Sequence, residues 1–186
     1  MKPLQSIAMG LVIIALKAWV NGEYDVLPDP IGWLLVLQGL AALPATLVHR
    51  PALRTLGFLA LVMSIVLWFP SLRDGLERAD ESLLWAADLP QLGFVGVLCL
   101  ALSRAAADTT RGPAPDPGPA RWLHTAAVLT GVAAVLPVIA LGAGVHSLVD
   151  VMVVGSGLVL LLVIVLMFRY SARPWAAAEV DQTAAP

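Results

Sequence analysis

Six stretches of this chain are each apolar for about the length a helix needs to cross a lipid bilayer. Little sequence is left between them. They run over residues 4–20, 30–48, 52–70, 83–103, 122–145 and 147–170. A spanning helix takes about 20 mostly apolar residues at 1.5 Å rise each. The chain is 59% hydrophobic and 13% charged, against about 45–50% and about 25% in soluble domains. A single soluble core has no room for that excess, so the expected medium is lipid. The expected fold is all-α, a six-helix transmembrane bundle forming one polytopic domain over residues 1–173. The first run begins Met-Lys-Pro, continues to Lys17 and lacks a convincing cleavage site. It reads as a retained helix.

The connections sort by charge. Taking alternate connections as one side gathers Lys2, Arg50, Arg54, Arg104, Arg111, Arg121, Arg169 and Arg173, eight of the eleven basic residues. The positive-inside rule then places both termini in the cytoplasm. Trp19, Trp33, Trp68 and Trp85 fall near the expected outer interface. Trp122, Phe168 and Tyr170 fall near the inner one, as in an aromatic belt. The Pro-, Gly- and Ala-rich segment 104–121 reads as a flexible cytoplasmic linker, and residues 174–186 as a disordered tail.

The segment Tyr24–Trp33, Y-D-V-L-P-D-P-I-G-W, separates the first two runs. Asp29 before Pro30 is a helix-start signal, because Asp caps well and Pro suits the first turn. Gly32 permits close packing there. Acids also open the fourth and sixth runs, at Asp80, Glu81 and Asp150, where a helix dipole is positive. Asp88 either caps a shorter helix from Leu89 or belongs to that opening. Helix-start chemistry accounts for these charges without any function.

A functional reading competes with it. Lys17, Asp25, Asp29, Asp88, His146 and Asp150 share the expected outer end, and could line one water-filled vestibule that binds a cation or relays protons. Gly155, Ser156 and Gly157 form a small-residue seam suited to helix packing. No G-x-S-x-G, H-E-x-x-H or C-x-x-C occurs, so no catalytic residue, metal site or cofactor is expected. Cys99 is the sole cysteine and reads as a small core hydrophobe. A net charge of −2 without a basic run points away from nucleic acid.

Asp25, Pro28, Asp29, Gly32 and Trp33 match a D-[IV]-L-P-D-x-I-G-[YW] pattern. In this the chain resembles small, uncharacterised multi-pass membrane proteins of Gram-positive bacteria. The resemblance implies a bacterial plasma-membrane protein and brings no activity with it. Two expectations follow. One is a small transporter or permease-like protein. The other is a non-catalytic accessory subunit whose partner, beyond the bilayer, is another membrane protein or a second copy.

Overall fold

The computed structural model describes residues 2–16, 19–20, 24–25, 29–79, 81–108, 115–142 and 147–177. Its seven α-helices are α1 (Pro3–Ala15), α2 (Asp29–Ala42), α3 (Arg50–Leu67), α4 (Pro70–Ala79), α5 (Glu81–Ala107), α6 (Pro117–Gly142) and α7 (Ser147–Tyr170). Between α1 and α2, β1 (Trp19–Val20) pairs antiparallel with β2 (Tyr24–Asp25). A 3-10 turn, Pro174–Ala176, follows α7.

Six helices close a ring in the order α1, α2, α3, α5, α6, α7 and back to α1. Four of them contain stretches long and apolar enough to cross a membrane: Arg50–Leu67, Ser82–Ala107, Pro117–Ile139 and Val153–Tyr170. The outward faces are greasy. Phe58, Val62, Val132, Ile139, Val153 and Leu158 are all exposed, as side chains are when lipid is their solvent.

The first two helices differ from expectation. With 13 and 14 residues, α1 and α2 are each about 20 Å long, short of the about 30 Å of a hydrocarbon core. The run from Leu4 to Val20 stops being helical at Ala15. The run from Pro30 to Val48 stops at Ala42, where residues 43–49 turn instead. Leu43 and Leu47 in that turn are buried. Their apolarity therefore reflects packing rather than helix.

Other boundaries move the opposite way. α5 continues to Ala107 and α6 begins at Pro117, which shortens the expected linker 104–121 to residues 108–116. Asp116 N–H donates to the Ala106 carbonyl at 2.9 Å, tying the linker's end back to α5. The expected tail also starts late, because Trp175 and Ala176 are buried. Residues 178–186 lie outside the described part. The polar stretch after α3, read as a connection, forms the exposed helix α4.

One end of the ring is defined by contacts. Arg50 Nη2 donates to Ala41 O at 2.9 Å, covering a carbonyl at the end of α2. Arg104 Nη1 lies 2.8 Å from His49 Nε2. Ser103 Oγ donates to Ala120 O at 2.8 Å. Arg173 Nη1 pairs with Asp116 Oδ2 at 3.2 Å. The start of α1, the end of α2, the start of α3, the end of α5, the start of α6 and the end of α7 therefore meet at one level. Both ends of the polytopic domain share it with Arg50, Arg104 and Arg173.

Candidate functional site

The α1–α2 hairpin packs closely, and its seam runs over small residues. A Cβ on Gly10 would collide with Gly32 O and sit 2.7 Å from Val36 Cγ2. A Cβ on Gly39 would sit 2.7 Å from Pro3 O and Ile7 Cγ1. Ser6 Oγ donates to Leu35 O at 3.0 Å across the same seam. The signal was present in Ser6-x-x-x-Gly10, a small-x-x-x-small pattern that lets backbones approach.

The hairpin's close packing is set against a mismatch in length. α7 packs on α1 and has 24 residues, about 36 Å. Since α1 and α7 meet at the end just described, α7 extends about 15 Å beyond Ala15 at the other end. α1 ends within that step, and the described backbone that follows it, β1 and β2, is not helical. Non-helical backbone at membrane depth is tolerated only where protein buries it or water reaches it.

The six charged candidates fare differently. Lys17 and His146 lie outside the described residues. Asp25 sits in β2 and Asp150 in the first turn of α7; their side chains are outside the description. Asp29 opens α2, as its pairing with Pro30 predicts, and is half-buried with its Oδ1 enclosed. Asp88 is not a cap. It lies inside α5, which runs unbroken through Pro90, and is exposed.

The depth of these two acids follows from an aromatic contact. Trp33 of α2 meets Phe94 of α5 edge-on, with centroids 5.3 Å apart and an 84° angle. Both helices run toward the basic end. Asp29 is four residues before Trp33 and Asp88 six before Phe94, so they stand about 6 and about 9 Å above that contact. Four residues keep Asp29 on the Trp33 face, whereas six turn Asp88 away from the Phe94 face. The two carboxylates share a level but not a wall.

Trp33 is 1% exposed and Tyr170 is 3% exposed, so neither is the interfacial belt residue its position suggested. Trp68, Trp122 and Phe168 are exposed at the ends of their helices. Gly155 and Gly157 face open space, where an added Cβ would meet nothing within 4 Å. Among the described residues they pack against no neighbour. Cys99 is fully buried.

The basic end holds groupings that single residues did not signal. An arginine has no acceptor, so in this contact Arg104 donates and His49 Nε2 accepts. A recess there is lined by Lys2, Pro3, Ser171, Ala172, Arg173, Pro174 and Ala177. Compared with known proteins, the chain matches no family model, no curated protein and no solved structure.

Proposed function

We propose that this is a small permease-like membrane protein whose short first hairpin leaves a polar recess for a cation on the side opposite its basic end. The length mismatch of α1 and α2 carries the reading. In membrane transporters, unusually short or interrupted helices mark the substrate site, because freed backbone and helix ends there face water. Here Asp29 opens the shortened α2, the sequence between α1 and α2 carries Lys17 and Asp25, and Pro90 and Pro137 interrupt the hydrogen bonding of α5 and α6. Acids there would hold a cation, with Lys17 as the counter-charge it displaces.

Cysteine chemistry tests the recess. In a Cys99→Ser background, Leu16→Cys, at the exposed end of α1, should react with a membrane-impermeant methanethiosulfonate as fast as Ser71→Cys on α4. A thiol facing lipid does not ionise and stays inert. Unreactive Leu16→Cys beside reactive Ser71→Cys would remove the recess and the permease reading with it.

A second reading, an accessory subunit, is favoured by the open small-residue seam at Gly155 and Gly157. In that case Gly157→Cys, with Cys99 replaced, forms an interchain crosslink in native membranes. Its absence counts against the accessory role.

A further inference from the structure

The recess at the basic end is built rather than incidental. After α7, Ser171 N–H and Oγ both donate to Phe168 O, and Arg173 N–H donates to Tyr170 O at 3.0 Å. The chain then tightens into the 3-10 turn. Trp175 is buried beside Tyr170, with ring centroids 6.1 Å apart, and the turn packs on α5. This anchor holds residues 171–177 against the first turn of α1. Between them lies a recess of about 260 Å³, below the about 300–1,000 Å³ of drug-sized ligand sites.

Its lining combines two cations with apolar walls. Lys2 and Arg173 face it, together with Pro3, Ala172, Pro174 and Ala177, and among the described residues no acid lines it. Asp116 takes one Arg173 nitrogen from outside the lining. The remaining guanidinium donors and the Lys2 ammonium have room for an anion. The same lining includes the start of α1, whose dipole is positive. The recess opens at the level where helix ends meet headgroups, and basic pockets between membrane helices hold lipid headgroups.

We propose that this recess binds a phosphate group, as the headgroup of an anionic lipid, with Lys2 and Arg173 on the phosphate and the proline and alanine walls against glycerol. The proposal rests on membrane embedding and is independent of the permease reading.

The test is thermal unfolding of the full chain in detergent. Short-chain phosphatidylglycerol, short-chain phosphatidylcholine and inorganic phosphate are titrated separately. Phosphatidylglycerol should raise the midpoint saturably, and phosphatidylcholine should not. Lys2→Gln and Arg173→Gln should each weaken the apparent affinity about fivefold. Ala172→Trp fills the recess while leaving both charges, and should abolish the shift. Arg54→Gln, at an exposed site near the same end, should leave it unchanged. A saturable shift with inorganic phosphate alone, lost in the same variants, supports the phosphate site and identifies the free ion as its source. An equal shift with phosphatidylcholine, or equal losses in Arg54→Gln and Lys2→Gln, overturns the proposal. So does a full shift in Ala172→Trp.

Discussion

Gly10 and Gly157 have the same side chain and opposite circumstances. Around Gly10 the partner backbone of α2 occupies the space a Cβ would need, and backbone cannot swing aside. Around Gly157 nothing stands within 4 Å. Gly10→Val should therefore cost about 1–3 kcal/mol through overpacking, and Gly157→Val should stay within about 0.5 kcal/mol. Thermal unfolding of both variants in one detergent checks the contrast, and equal losses would contradict the geometry. His49 poses a different residue-level constraint. It caps α3 with φ at 62°, the left-handed region, and accepts from Arg104. His49→Gly keeps the backbone at ease and loses one exposed hydrogen bond, about 1 kcal/mol at most. His49→Val adds a β-branched side chain where that conformation costs roughly 1–2 kcal/mol more. The ordering of the two unfolding midpoints, with valine lower, is the expected result.

Elements show why part of this fold was legible and part was not. α7 is found over Ser147–Tyr170 as its apolar run predicts, because nothing in that run competes with helix. α2 starts at Asp29 because Asp-Pro is a local signal and needs no tertiary context. The ends of α1 and α2 were illegible for the same physical reason in reverse. Leu16, Leu43 and Leu47 are as apolar as helix residues, and hydropathy reads medium, not backbone conformation. Of the six candidate charges, only Asp29 and Asp88 have described side chains. Asp29 and Asp88 do stand near one level, but which face each occupies depends on α2 and α5 meeting at Trp33 and Phe94. That contact is long-range, and no periodicity announces it. Trp33 was therefore misplaced at the interface when it is the largest fully buried side chain among the described residues. Trp33→Ala should lower stability by about 3–5 kcal/mol, whereas Trp122→Ala, at a site 55% exposed, should change it little.

For the whole molecule, the ring fixes which groups share an end without saying which compartment that end faces. The distribution of cations supports the proposal that the basic end is cytoplasmic. Lys2, Arg50, Arg54, Arg104, Arg121, Arg169 and Arg173 gather at one end through the contacts of α2 with α3, α5 with α6, and the 3-10 turn with α5. The other end carries Arg73 and Arg78 on α4, with Asp74 between them. An excess of Lys and Arg in short connections is retained on the cytoplasmic side during insertion. Gly75 on α4 and Gly118 at the start of α6 provide matched reporters at opposite ends, since both are exposed and an added Cβ meets nothing at either. In a Cys99→Ser background, Gly75→Cys should take up an impermeant maleimide on intact cells. Gly118→Cys should do so only after the membrane is opened. The reverse pattern would invert the bundle and move the proposed cation recess to the cytoplasm. Labelling of both from one side would be fatal to the alternation itself, because α5 runs from beside the first reporter to beside the second. That helix would then lie along the membrane instead of through it, and neither the recess nor the headgroup site would keep its place.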